Sequence, residues 1–245
     1  MIKYLKAENL KYKRRFVKYL IFLAPSLVLL HAALTYVYYI PNGYNWWYII
    51  ILPSFIALSS SLINSYEYKG LKYQAVFSLP VSIKKTWVSK IILLSVYLSV
   101  SSLFHLIMLI LGKATFFSEP AKDILYLNMI FASFTLIITH LWQIPFCLFL
   151  SKKIGTAFTV LINAFAGMAV NIIFVNTKFW WISPYSWASR LMIPIIKVLP
   201  NGLIAENINF KDYRLDVFIG IILPILLFFL LINLTKKWFQ KQEVE

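Results

Sequence analysis

The stretch from Tyr19 to Tyr66, YLIFLAPSLVLLHAALTYVYYIPNGYNWWYIIILPSFIALSSSLINSY, contains 48 residues without a single Asp, Glu, Lys or Arg. Pro41, Asn42 and Gly43 are turn-forming residues near its middle. The pattern therefore predicts two membrane-spanning helices joined by a turn at that point. A helix suits hydrocarbon because its backbone groups bond to one another, with no need of water.

Four more apolar blocks follow along the chain. With 60% hydrophobic and 13% charged residues, the protein has too little polar surface for a water-soluble globule of 245 residues. The sequence predicts an all-α integral membrane fold, in one domain over residues 1–245, with six transmembrane helices. Their predicted bounds are 19–40, 46–65, 88–111, 124–150, 156–176 and 216–234.

The distribution of basic residues predicts the topology. An even number of spans places both termini on the same side, and that side carries 17 of the 24 Lys and Arg residues. The bias of positive charge toward the cytoplasm predicts a multi-pass membrane protein with both termini inside. The net charge of +15 then serves topology and contact with membrane lipid, and no nucleic-acid partner is predicted.

Three segments outside the spans have patterns of their own. Residues 1–18 are basic with apolar residues at helical spacing, which predicts an interfacial helix on the inner leaflet or, alternatively, a flexible basic anchor. Residues 66–86 predict a short cytoplasmic helix that ends at Pro80, or else a solvated loop. Residues 178–214 are rich in Trp and Pro, which predicts a segment that enters the membrane from outside and returns, or a loop on the headgroups.

Polar side chains in the spans are small or carry amides. Such residues at helical spacing either pack helices together or line a wet pathway, and the sequence leaves both readings open. On the third predicted span they are Ser95, Ser99 and Ser102, and on the fifth they are Asn163, Gly167 and Asn171.

No pattern in the chain predicts catalysis. The middle of every predicted span lacks charged residues, which argues against a proton relay or transport coupled to a buried carboxylate. His31, His105 and His140 lack the spacing of a zinc site, and the single Cys147 has no partner for a disulfide. The only Gly-Lys pair lacks the earlier glycine of a nucleotide-binding loop. We expect no catalytic residue, no metal site and no cofactor in this chain, which is not predicted to be an enzyme.

The sequence resembles the permease subunits of lantibiotic self-immunity exporters, a branch of the ABC-2-type permeases. The resemblance is strongest in MIKYLKAENLKYKRRF at 1–16, NWWYIIILP at 45–53 and EYKGLKYQAVFSLPVSIKKTWVSK at 67–90, and closest to the E-type permease. It implies a cytoplasmic ABC ATPase that binds ATP and Mg on a separate subunit, and a second permease of similar size. The implied cargo is the producer's own lantibiotic, an antimicrobial peptide that the complex expels from the membrane.

The resemblance also implies roles for particular residues. The leading end of the 66–86 segment would couple to the ATPase through Glu67, Lys69, Gly70 and Lys72, and residues 180–202 would form the re-entrant outer element. The second and fifth helices would face the partner permease. The predicted outer face carries seven basic and five acidic residues, so we expect peptide recognition through aromatic contacts, with Trp180, Trp181 and Trp187 as candidates.

Three alternatives remain at this point. An exporter of the same type could carry another peptide, a lipid or a drug. An intramembrane hydrolase is disfavoured because no carboxylate lies in the middle of a predicted span. A membrane scaffold or sensor that transports nothing would have the same spans.

Overall fold

The structure, a computed structural model, describes residues 1–71, 82–117, 124–205 and 208–241, and side chains in the first range as far as Tyr68. Within these ranges it contains six helices long and apolar enough to cross a membrane. The described part has no β-strand, only an isolated bridge between Val198 and Ile204. The predicted all-α membrane fold is confirmed. The spans, numbered in chain order, are Phe16–Leu34, Tyr36–Tyr68, Ile83–Thr115, Tyr126–Ile154, Thr156–Phe174 and Phe210–Lys241.

A short helix, Ile2–Lys11, precedes span one and is called the N-terminal helix. It packs against span three, where the Tyr97 hydroxyl donates a hydrogen bond to Asn9 Oδ1 at 3.1 Å. Tyr12, just after the helix, is buried. A helix therefore occupies the predicted N-terminal segment, and its place on the inner leaflet stays a prediction.

The predicted turn at Pro41, Asn42 and Gly43 is wrong. These residues lie inside the helix Tyr39–Trp46, and the chain reverses earlier, at Thr35 and the 3₁₀ turn Tyr36–Tyr38. Pro41 is tolerated because it lies in the first helical turn, where backbone N–H groups have no partner within the helix. Asn42 donates to Thr35 Oγ1 at 3.0 Å across the reversal, and so stabilises the turn that precedes it.

Span two is longer than predicted and lies at the centre of the bundle. After the helix Tyr39–Trp46 it passes through a π-helical turn, Trp47–Ile51, and continues as the helix Leu52–Leu71. In the apolar stretch of span two 67% of the residues are buried, against 22% in that of span five and 11% in that of span six. Span two therefore packs mainly within the chain, whereas spans five and six expose most of their surface.

Spans four and five are both interrupted. Span four consists of Tyr126–His140 and Gln143–Ile154, and span five of Thr156–Phe165, the π-helical turn Ala166–Val170 and Asn171–Phe174. In span four the break at Leu141 and Trp142 lies just before Gln143 and Pro145.

The segment between spans five and six folds onto the bundle. It contains the 3₁₀ turn Trp180–Ile182 and the helix Ser186–Ile196, called the outer helix after the predicted topology. The outer helix is almost entirely buried against spans four and six. Span six then begins with the 3₁₀ turn Phe210–Tyr213 and continues as the helix Arg214–Lys241.

Candidate functional site

A buried ionic cluster lies at the end of the bundle that holds the N-terminal helix. We call the group Glu8, Lys11, Tyr12, Glu67 and Lys90 the Glu67 junction. Lys11 Nζ donates to Glu67 Oε1 at 2.9 Å and to Glu8 Oε1 at 2.6 Å, and the Tyr12 hydroxyl donates to Glu8 Oε2 at 3.2 Å. Lys90 Nζ forms a salt bridge with the second oxygen of Glu67. One carboxylate thus joins the N-terminal helix, span two and span three.

The charges of the junction are balanced, and the charged side chains are buried except that of Lys11, which is 39% exposed. Two carboxylates face two ammonium groups, and the side chains of Lys90 and Glu67 are only 0% and 8% exposed. Burial lowers the pKa of Lys11, but the carboxylates of Glu67 and Glu8 outweigh that effect and raise it. Lys11 therefore stays charged throughout the physiological pH range.

Aromatic rings from spans three and six lie beside the junction. The Lys90 ammonium lies 5.6 Å from the centre of the Phe239 ring and 5.9 Å from that of Trp87. Lys152, at the end of span four, lies 4.5 Å from the same Phe239 ring. The N-terminal helix and the ends of spans two, three, four and six therefore meet at one end of the bundle.

The junction changes the interpretation of the predicted coupling residues. Glu67 lies at the entrance to the 66–86 segment, as predicted, but its carboxylate points into the protein. Lys69 and Gly70 continue the helix Leu52–Leu71, their side chains lie outside the described part of the structure, and Lys72 lies wholly outside it. Sequence reasoning did not identify Glu8, Lys11 and Lys90 as partners of Glu67, because basic residues crowd these segments and no spacing singles out the three.

Spans two and five approach each other closely at their π-helical turns. A Cβ atom added to Gly167 would lie 2.5 Å from the carbonyl oxygen of Ile49 and 3.1 Å from the Pro53 ring. A side chain at position 167 would therefore separate the two helices. Because π-helical turns recur at functional sites, this crossing is a candidate functional element.

Asn163 connects four parts of the bundle. Its Nδ2 donates to the Pro53 carbonyl at 2.7 Å in span two and to Gln143 Oε1 at 2.9 Å in span four. Its Oδ1 accepts a bond from the Tyr185 hydroxyl at 2.7 Å, in the segment that precedes the outer helix. The side chain is fully buried. The sequence left two roles open for the polar residues of span five, helix packing and a wet pathway. The contacts of Asn163 are those expected of helix packing.

The remaining stripe residues differ from Asn163. Asn171 is buried, yet neither its Nδ2 nor its Oδ1 has a hydrogen-bond partner in the described part of the chain. Ser95 and Ser99 bond back to the backbone of their own helix, to the carbonyls of Ile91 and Ser95 at 2.9 Å each. Ser102 is buried without a partner among the described residues. A buried amide without partners is unusual and leaves the pathway reading open for Asn171.

The histidines occupy packing positions. His105 Nε2 lies 3.0 Å from the Gly43 carbonyl and its ring stacks on Trp47, while His140 contacts the carbonyls of Leu136 and Tyr48 at 2.8 and 3.3 Å. Across the residues that the structure describes, no three His, Cys, Asp or Glu side chains are close enough to hold a metal ion.

The predicted outer tryptophans divide into buried and exposed residues. Trp180 and Trp187 are 5% and 4% exposed and pack with Trp142 of span four. Trp181 is 48% exposed, and its backbone carbonyl accepts a bond from Trp187 Nε1 at 2.8 Å. Trp181 therefore lies on the surface, whereas Trp180 and Trp187 are packed in the interior.

An ion pair fixes the outer helix to the start of span six. Arg190 binds Asp216 at 2.8 Å, and its guanidinium lies 5.1 Å from the Tyr213 ring and 5.8 Å from the Trp180 ring. The tryptophan cluster and this pair thus both hold the N-terminal half of the outer helix.

Comparison with known families identifies the class of membrane protein. The model of the ABC-2 family transporter proteins matches residues 4–171, well over half of the chain. The chain belongs to the ABC-2 transporter family. In this ABC-2 transporter the matched region includes the Glu67 junction, the crossing at Gly167 and the bonds of Asn163 to spans two and four. ABC-2 permeases generally work with cytoplasmic ATPase subunits, so the chain is the permease component of an ABC exporter. Searches of the curated proteins and of the solved structures gave no match.

Proposed function

We propose that the chain is the permease subunit of a bacterial plasma-membrane exporter that expels a lantibiotic-type peptide from the bilayer and so protects the producing cell. A separate cytoplasmic ATPase binds ATP and Mg and supplies the energy, and a second permease of similar size completes the pathway. Both termini lie in the cytoplasm. The observation that carries the proposal is the Glu67 junction, which connects the entrance of the 66–86 segment to three helices of the permease.

The junction gives the ATPase a means of moving the transmembrane helices. A partner that displaces the 66–86 segment pulls on Glu67, and the buried salt bridge transfers that displacement to span three through Lys90. Lys11 transfers it to the N-terminal helix at the same time. Packed helices move as rigid bodies, so a shift at the cytoplasmic end alters their arrangement at the outer end.

The outer segment suits an amphipathic peptide better than a small ion. Trp181 is exposed between Phe179 and Ile182, which are 61% and 53% exposed, so three large apolar side chains lie together on a supported surface. Trp and Phe bind apolar peptide side chains with large contact areas. The spans offer no charged group at mid-depth on which ion transport could depend.

The proposal is tested by producing the chain in a peptide-sensitive bacterium together with its ATPase and second permease. We expect higher tolerance of the cognate lantibiotic and more peptide in the medium. The control is the same complex with its ATPase inactivated by substitution of the nucleotide-binding lysine, which abolishes both effects. Equal tolerance with active and inactive ATPase would contradict the proposal.

The cargo is tested separately with a panel of compounds. Tolerance of a lantibiotic but not of an unrelated apolar drug or a labelled phospholipid supports the peptide. Export of the drug or the lipid at the same rate would assign the complex to another substrate class.

A further inference from the structure

A groove opens on the surface of the bundle between the N-terminal helix, span one and span three. Its volume is about 400 Å³, and most of its wall is apolar. Phe22 of span one and Val96 and Val100 of span three are exposed to it, with Leu93 behind them. This part of the groove runs along the sides of two membrane spans, where lipid chains lie.

Two lysines line the same groove at the end nearest the chain terminus. Lys6 comes from the N-terminal helix and Lys18 from the first turn of span one. Neither forms a salt bridge with an acidic residue in the described ranges 1–71, 82–117, 124–205 and 208–241. The groove therefore has a cationic mouth and an apolar body.

This arrangement fits a molecule with an anionic head and a hydrocarbon tail. Two ammonium groups together can donate to a phosphate, and basic pockets between membrane helices on the cytoplasmic side bind anionic lipid headgroups. Val96 and Val100 are one helical turn apart, so the apolar wall continues along span three in the direction that an acyl chain takes. A cationic peptide is disfavoured because both lysines would repel it.

We propose that this groove binds one anionic phospholipid of the inner leaflet. Lys6 and Lys18 hold its phosphate, and one acyl chain lies against Phe22, Val96 and Val100. The lipid bridges the N-terminal helix and span three beside the hydrogen bond between Asn9 and Tyr97, both of which also line the groove. It thereby supports the helix that carries Lys11 of the Glu67 junction. The inference does not depend on the identity of the exported cargo.

The test uses the purified chain in vesicles of equal parts phosphatidylglycerol and phosphatidylethanolamine, followed by gentle extraction and native mass spectrometry. We expect the wild-type chain to retain phosphatidylglycerol in preference to phosphatidylethanolamine. Loss of both lysines in Lys6→Gln/Lys18→Gln should weaken retention on the order of twentyfold, because each basic residue near the surface contributes about a fivefold effect. The matched control is Lys3→Gln/Lys13→Gln, which removes two exposed lysines from the same segment outside the groove and should retain the lipid.

A second variant tests the apolar body of the groove. Val96→Trp fills it while both lysines remain, and should also reduce retention of phosphatidylglycerol. Unchanged helicity and gel-filtration behaviour show that each variant folds. Equal loss of lipid in the Lys3/Lys13 control, equal retention of both lipids by the wild-type chain, or full retention by Val96→Trp would each overturn the proposal.

Discussion

The carboxylate of Glu67, near the end of span two, forms a salt bridge with Lys90, near the start of span three, and the Lys90 side chain is completely buried. Glu67 lies at the start of the 66–86 segment and Lys90 follows its end, so the pair connects the two spans that the segment joins. The other carboxylate oxygen of Glu67, Oε1, forms a salt bridge with Lys11. A force on the segment is therefore shared by two spans and the N-terminal helix.

Substitution of Glu67 by Gln should destabilise the permease and uncouple it from the ATPase. The buried Lys90 would lose its counter-charge, and removal of one partner of a buried ion pair costs about 3–5 kcal/mol. We expect a lower midpoint of thermal unfolding in detergent and a loss of peptide-stimulated ATP hydrolysis in the assembled complex. The exposed acidic residue Asp212 provides the matched control, because Asp212→Asn removes the same charge outside the junction.

The double variant Glu67→Gln/Lys90→Met separates stability from coupling. It removes both buried charges, so thermal stability should largely return while coupling stays impaired. Full stability of the single Glu67→Gln variant would show that the salt bridge does not hold these spans together. Full coupling in the stable double variant would show that force reaches the spans by another route.

Gly167→Ala should weaken the crossing of spans two and five. The added Cβ would lie 2.5 Å from the Ile49 carbonyl oxygen, a backbone atom that cannot rotate away as a side chain can. We expect a loss of about 1–3 kcal/mol, measured by thermal unfolding. Ala157→Ser, which adds one atom to an exposed position on the same span, should have no effect. Normal stability in Gly167→Ala would mean that the two spans are farther apart than the structure places them.

Substitution by Leu should change the stability of the protein differently at Asn163 and at Asn171. Asn163→Leu removes three hydrogen bonds and leaves the Tyr185 hydroxyl and Gln143 without that partner, so we expect a loss of about 2 kcal/mol. Asn171→Leu should leave stability unchanged or improve it, because the amide has no partner within the described ranges.

Transport then distinguishes the two readings of span five. If Asn171 lines the pathway, Asn171→Leu lowers peptide export in a protein of normal stability. Full export by this variant would assign Asn171 to packing instead, and a stable Asn163→Leu variant would show that the amide connection is dispensable.

The sequence predicts most of the architecture because hydrocarbon imposes a simple rule of length and polarity. It misplaces the first turn because Pro41, Asn42 and Gly43 have the composition of a turn, whereas Pro41 is compatible with the first turn of a helix. The π-helical turns in spans two and five leave no mark that composition could reveal. They depend on how the two helices fit around Gly167.

Residue roles at the site are less predictable, because they depend on contacts between residues that are far apart in the sequence. The sequence identifies Glu67 but not its partners, since Lys11 and Lys90 are distant in sequence and surrounded by other basic residues. It groups Trp180, Trp181 and Trp187 by their interfacial character, and only the fold shows which of them are buried. Pairing in three dimensions is the information that a single sequence lacks.

Trp181 and Trp187 provide a further test, because the exposed Trp181 can contact a peptide whereas the buried Trp187 packs within the protein. Trp181→Ala removes an exposed ring, so it should reduce export of the proposed peptide cargo severalfold with little change in unfolding temperature. Trp187→Ala instead removes a ring of the outer helix that packs with Trp142 and leaves a cavity, and should cost about 3–5 kcal/mol of stability. Trp187→Phe, which refills most of that space, serves as the matched control and should recover most of the loss. Normal export by Trp181→Ala would remove the exposed tryptophan from peptide recognition and leave the outer segment a purely structural role.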